Sequence, residues 1–207
     1  MTPTGRLITI EGVDGAGKST LAEALAGVLG QRGLPVSQLR EPGGVQTSEV
    51  IRAIVKDTAL TVGARTEALL YAAARAQLVE QALLPRLAAG EWVLLDRFVD
   101  SSLAYQGAGR GLGVDAIRAL NLFATGGLTP DRTLLLDVDR VSARRRAHTR
   151  GQAPDRLERE GGSFFEVIAS AYLQLAAAEP ERFRVLDASR APQLVLSEAL
   201  AALSDLF

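Results

Sequence analysis

The sequence predicts an α/β fold, a three-layer sandwich around a five-stranded parallel sheet, and three observations predict it. Short apolar runs alternate along the chain with longer stretches of helical periodicity. Such alternation is the mark of a largely parallel sheet covered on both faces. A glycine-rich turn separates the first run from the first helix, and further polar or glycine-rich stretches follow later strands, at Arg40 to Gly44, Asp96-Arg97 and Asp187 to Arg190. Parallel sheets bind ligands beyond the carboxyl ends of their strands, so a site assembled from these turns is expected.

Leu7 to Ile10 reads as the first buried strand, and the apolar-periodic stretch from Lys18 to Gln31 as a helix that Gly33 closes. Val36 to Leu39 is the second strand and Ser48 to Lys56 a short helix. Thr66 to Ala89 reads as one long helix, with Leu69, Leu70, Ala73, Leu78, Ala82 and Leu83 on its apolar side, a kink at Pro85 and a stop at Gly90. Val93 to Leu95 is the third strand, Thr133 to Asp137 the fourth and Val185 to Asp187 the fifth. A closing helix runs from Gln193 to Leu206.

The composition limits function as firmly as fold. At 207 residues, with 47% hydrophobic and 23% charged side chains, the chain has the material for one well-buried domain and none for a multidomain engine. A net charge of −1 supplies no global attraction to nucleic acid or to an anionic membrane, so neither is expected as a partner. The chain has no cysteine, which removes disulfides, thiolate metal sites and cysteine nucleophiles together and points to a reducing, cytoplasmic setting. No apolar run near the N-terminus reads as a signal peptide or membrane span.

Gly12-Val13-Asp14-Gly15-Ala16-Gly17-Lys18-Ser19 fills G-x-x-x-x-G-K-[ST], and Thr20 follows it, between a predicted strand and a predicted helix. Glycines let backbone N–H groups turn inward around phosphate oxygens. The helix N-terminus adds positive potential, Lys18 reaches the β and γ phosphates, and the Ser19 hydroxyl suits magnesium. A P-loop NTPase fold and ATP are therefore expected. Lys18 and Lys56 are the only lysines in an arginine-rich chain, which sharpens the signal. Asp96, at the end of the third strand, can hold the same magnesium directly or through water, and Arg97 can face a phosphoryl group. A helix cap by Asp96 is the bland alternative.

Seven arginines (Arg140, Arg144, Arg145, Arg146, Arg150, Arg156, Arg159) stand against three acids between residues 140 and 160. Gly151, Pro154 and Gly161-Gly162 break that stretch, so a mobile arginine-rich lid at about residues 140–161 is expected, as an insertion in a single kinase domain spanning 1–207. A solvated charged face is the alternative. No N-K-x-D motif is present, which excludes a GTPase switch, and neither His148 nor Trp92 is assigned a role. A small P-loop kinase acting on a phosphorylated or hydroxylated acceptor fits best. A non-catalytic ATP-binding module is the rival from another class.

With ITIEGVDGAGKST, REPGG (Arg40 to Gly44), LLYAAARAQL (Leu69 to Leu78), DRF (Asp96 to Phe98), AYQGAGRG (Ala104 to Gly111), PDRTLLLDV (Pro130 to Val138), DRLE (Asp155 to Glu158) and DAS (Asp187 to Ser189) in this order, the chain resembles bacterial thymidylate kinases nearly end to end. The resemblance implies transfer of the γ-phosphoryl of MgATP to dTMP, and a homodimer. It implies that Asp14 meets the deoxyribose and acceptor phosphate, and that Arg40, Arg75 and Arg97 bind the acceptor, Arg75 at the thymine edge. Ser102, Tyr105 and Gln106 are then base and sugar contacts, and Tyr71 stands where the family stacks phenylalanine on thymine. Ser189 and Arg190 resemble the adenine loop. Gly15 stands where one branch of the family carries a P-loop arginine, which implies that this chain draws the charge from the lid, with Arg150 first and Arg146 second as the catalytic arginine.

Overall fold

The computed structural model describes residues 5–149, 156–157 and 160–207. Five parallel strands form one sheet: β1 (Arg6–Glu11), β2 (Val36–Arg40), β3 (Trp92–Asp96), β4 (Arg132–Asp137) and β5 (Phe183–Asp187), in spatial order β2-β3-β1-β4-β5. The expected three-layer sandwich is present. On one face lie α1 (Lys18–Gln31) and α9 (Pro192–Ala202), packed on Ile8, Ile10, Leu94 and Leu134. Alternation along a strand sends neighbours the other way, and Leu7, Val93 and Leu95 face the opposite layer. Helix α1 forms because Leu21, Leu25 and Leu29 recur every four residues and are buried on the sheet. Leu25 is fully buried, and its replacement by alanine costs about 2–5 kcal/mol.

The opposite layer holds α2 (Gln46–Lys56), α3 (Ala64–Leu78), α6 (Val114–Thr125) and α8 (Gly162–Ala178). The expected long helix is α3 followed by a π-helical turn over Val79–Leu83 and then α4 (Leu84–Ala88). A wider turn just before Pro85 fits that residue's missing N–H and its ring, which displaces the carbonyl four residues back. The closing helix ends earlier than the sequence suggests, at Ala202, and a single 3₁₀ turn covers Ser204–Leu206.

Helical structure between β3 and β4 is not apparent in the sequence. A short α5 (Val99–Ser102) runs into a π-helical stretch, Leu103–Gly109, and α6 follows. The glycines of AYQGAGRG read as breakers, yet Gly109 is there for close approach: a Cβ on it would lie 2.8 Å from the Phe164 ring. In α6, the outward Leu122 and Phe123 blur the apolar periodicity.

Strand register positions the site. Asp96 pairs with both Ile10 of β1 and Arg40 of β2, so the P-loop, REPGG and the Asp-Arg turn leave the sheet at one level. Asp137 and Asp187 end β4 and β5 in register on the other side.

Candidate active site

These strand ends open into a cavity of about 480 Å³. Its lining joins the P-loop residues Asp14, Gly15, Gly17, Lys18, Ser19 and Thr20 to the residues expected at the acceptor, Arg40, Tyr71, Arg75, Arg97, Ser102, Tyr105 and Gln106. The expected metal residue Asp96 and the lid residue Arg146 also line it. Gly12 and Val13 lie behind, each giving a carbonyl to the Lys18 ammonium at 3.0 Å, and Ala16 packs in the core. Burial and the nearby Arg97 bring the Lys18 ammonium down to about 8, against the attraction of Asp14 and Asp96. Gly17, the N-cap of α1, has no side chain to cap the first turn, and helix N-terminal amides left so suit an anion.

Ser19 Oγ donates to Asp96 Oδ2 at 3.0 Å. Two hard oxygen groups so close suit Mg²⁺, which takes few protein ligands beside water and phosphate.

Arg97 is the only described residue other than glycine with a left-handed backbone, at φ 71. Its Nη2 meets Asp14 Oδ1 at 2.7 Å, its Nη1 donates to Ser101 Oγ at 3.1 Å, and the guanidinium lies over the Tyr105 ring. Burial raises the Asp14 carboxyl, but Arg97 and Lys18 more than offset this and hold it well below the usual range. Burial also pushes the Tyr105 hydroxyl far up, so it stays protonated.

Arg75 is almost fully buried, and protein groups engage all three of its guanidinium nitrogens, with four hydrogen bonds and an ion pair. Nε and Nη2 meet Glu41 Oε2 at 2.8 and 2.5 Å, Nη2 also donates to the Phe98 carbonyl, and Nη1 serves Ser102 Oγ and Asn121 Oδ1. Contact with a base edge therefore has to compete with these partners, which the residue type of Arg75 does not foretell. Glu41 Oε1 has no hydrogen-bond partner among the described residues, and burial raises that carboxyl to about 7 despite Arg75.

Gln106 donates Nε2 to Glu67 Oε1 at 2.8 Å. A carboxylate only accepts, so the amide oxygen is the end left for a ligand. Fully buried Glu67 also pairs with Arg110 at 3.2 Å and with Arg156 at 2.6 Å, the latter contact lacking hydrogen-bond alignment. Arg40 is half-exposed and pairs with Glu49 at 3.0 Å.

The lid expectations divide. Arg140 to Thr149 forms a helix, α7, whose Ala143 carbonyl would lie 2.0 Å from a Cβ on Gly15. With φ +85 as well, Gly15 is required by the approach of α7, and an arginine there would push the helix away. Arg146 Nη1 donates to the Ala188 carbonyl at 2.9 Å, while Arg144 and Arg145 are exposed. Arg150, the first choice for the catalytic arginine, lies outside the described residues.

Ser189 and Arg190 do not line the cavity. Ser189 closes a turn on Asp187 Oδ1, and Arg190 pairs with Glu198 of α9. Sequence reasoning missed the buried partners Glu11, Glu41, Glu67, Ser101, Asn121 and Tyr172. For three of them the signal was present, since Glu11, Glu41 and Glu67 are acids flanked by residues the sequence assigns to strands, motifs or helices.

The family model described as thymidylate kinase matches residues 10–199. A thymidylate kinase of Rhizorhabdus wittichii is 47% identical over 204 residues, covering 98% of each chain. One from Deinococcus radiodurans is 47% identical over 201 residues, covering 97% of each chain. The crystal structure of a thymidylate kinase from Ehrlichia chaffeensis superposes with a TM-score of 0.76 at 28% identity, covering 97% of this chain and 99% of the other. With the P-loop, the Asp-Arg turn and the acceptor-side residues gathered in one cavity, the chain belongs to the thymidylate kinase family of phosphotransferases.

Proposed function

We propose that the chain transfers the γ-phosphoryl group of MgATP to dTMP, giving dTDP and ADP. One observation carries this reading: a single cavity joins Lys18 and Ser19 of the P-loop to Arg97, Arg75, Tyr71 and Gln106. A phosphate oxygen of dTMP attacks the γ phosphorus, the bond to the bridging oxygen breaks, and ADP leaves with that electron pair. Phosphate monoester oxygens are nucleophilic near neutral pH, so positioning and charge neutralisation carry the rate, without a strong base. Ser19 and Asp96 are the residues that would hold the magnesium. The ion supplies charge neutralisation on the phosphates.

Lys18 faces the β and γ phosphates, Arg97 the acceptor phosphate, and Asp14 the 3′-hydroxyl side of the sugar. Tyr71 stacks on the base, and Gln106 and Ser102 meet its edge. Arg146 or Arg150 supplies positive charge from a lid at residues 140–161. Ser189 and Arg190 remain the proposed adenine contacts, reached from the end of β5.

The enzyme is read as a cytoplasmic homodimer. Helix α3 packs between α2 and α6, and this layer exposes Val50, Ile54, Leu69, Leu122 and Phe123, the last at 90%. Such an apolar patch suits a second copy of the chain. Among the described residues no helix is long and apolar enough to cross a membrane.

A panel of dTMP, dUMP, UMP, dAMP and thymidine with MgATP and coupled ADP detection tests the reading. The highest kcat/KM is expected for dTMP. Thymidine as the preferred acceptor, or ATP binding without turnover on any of them, would overturn it.

A further inference from the structure

We propose that Glu11 is a positioning residue for phosphoryl transfer, which sets the turn that aims Arg97 and joins that turn to α8. The proposal rests on the reading that Arg97 serves the acceptor phosphate.

Glu11 is the last residue of β1, fully buried and out of reach of a ligand. Its carboxylate is saturated from two sides. Oε1 accepts the backbone N–H of Phe98 at 2.7 Å and, more weakly, that of Ser101 at 3.3 Å. Oε2 accepts the hydroxyls of Ser101 at 2.6 Å and of Tyr172 at 2.7 Å.

The two N–H groups flanking the left-handed residue are both held by β1. Arg97 N–H donates to the Ile10 carbonyl at 3.0 Å, and the next N–H, of Phe98, goes to Glu11. A left-handed arginine is sterically disfavoured and persists only where its surroundings hold it. Glu11 also acts on the guanidinium. A serine hydroxyl has one proton, and when Ser101 gives it to Glu11 its lone pairs are turned to receive Arg97 Nη1 at 3.1 Å. Tyr172 of α8 donates to the same Oε2, so the helix that follows residues 140–161 is fastened to the strand feeding the P-loop.

A purely structural role, capping the first turn of α5, would use the same two backbone bonds. The two roles differ in what happens when Arg97 is absent. Glu11→Gln keeps the shape but places an N–H₂ donor where one acceptor stood, so either the Phe98 amide or the Ser101 hydroxyl loses its partner.

The test is a double-mutant cycle of Glu11→Gln with Arg97→Ala, with kcat, both KM values and melting temperature measured. Glu11→Gln alone is expected to lower kcat about 10–100-fold, as loss of an outer-shell partner does, while KM for ATP changes less than about threefold. Added to Arg97→Ala, it is expected to change kcat by less than about twofold, because the group it positions is gone. Equal losses in both backgrounds would show that Glu11 is a cap only and overturn the proposal. If Arg97→Ala by itself keeps the full rate, the reading of Arg97 fails first and takes the proposal with it. Should Glu11→Gln not fold, Tyr172→Phe removes one donor from Oε2 at nearly constant volume. The same cycle then applies, with a several-fold fall in kcat expected only when Arg97 is present.

Discussion

Arg97 Nη2 lies 2.7 Å from Asp14 Oδ1, an ion pair that ties the turn after β3 to the P-loop across the cavity. Neither residue is spent on the fold alone: the pair is partly accessible and lines the cavity, so on the proposed function an acceptor phosphate would meet a guanidinium already held in place.

Asp14→Asn is expected to lose about 10–100-fold in kcat/KM for dTMP, the size of one hydrogen bond to a charged group. It should also narrow the preference for a deoxy over a ribo acceptor, because a carboxylate at the proposed place beside the 3′-hydroxyl would leave little room for a second hydroxyl. Initial rates on dTMP and its ribonucleotide counterpart check this. A lower rate at an unchanged ratio would assign Asp14 to holding Arg97.

Nucleotide affinity should depend on Lys18 protonation. The free ammonium titrates near 8, and bound phosphates raise that value, so above pH 8 binding must take up a proton. Affinity for ADP is then expected to fall as pH rises from 8 to 9.5, with proton uptake visible by calorimetry in buffers of different ionisation enthalpy. Lys18→Ala should abolish both the uptake and nearly all turnover, at least about 10²-fold in kcat.

Arg75→Ala should cost stability as well as dTMP affinity. It strands Glu41, Ser102, Asn121 and the Phe98 carbonyl in a buried site, a loss of about 3–5 kcal/mol. Glu41 makes the pH dependence specific. Its carboxyl keeps the proton to about 7 when folded but only to about 4.5 when unfolded, so its contribution is complete below 4.5 and fades as pH rises through 7. Denaturant midpoints between pH 5 and 8 should fall in the parent, and that slope should flatten in Glu41→Gln. In the same cavity Tyr71→Phe should be nearly silent, whereas Tyr71→Ala should raise KM for dTMP, by about 1–3 kcal/mol of stacking.

Of Arg144, Arg145, Arg146 and Arg150, one or two replaced by alanine should lower the single-turnover rate at saturating substrates by about 10³-fold or more. Exposed Arg144 and Arg145 should be near silent. An arginine at position 15 is not expected to substitute for the lost charge, because its Cβ meets the Ala143 carbonyl; Gly15→Ala alone should already lower the rate. Four silent alanine variants would remove the lid from the account of catalysis.

Local sequence determined the strands, the helices with clean periodicity, the P-loop and the turns that carry phosphate chemistry, because each depends on residues within a few positions of one another. Leu21, Leu25 and Leu29 declare a buried helix face, and Gly12 to Ser19 a phosphate nest, without reference to anything distant. Only the tertiary structure decided which side chains are free to act. Arg75 and Arg97 are the same residue type in similar motifs, yet one has every guanidinium nitrogen engaged by partners 23 to 46 positions away and the other meets Asp14 from 83 positions away. The helical path from Val99 to Thr125, the π-helical turn before Pro85 and the contact between α7 and Gly15 were likewise set by packing across the sheet layer. Burial strengthens electrostatics and makes every unpaired polar group costly, so the final pairing of Glu11, Glu41 and Glu67 was settled by what the fold brought beside them.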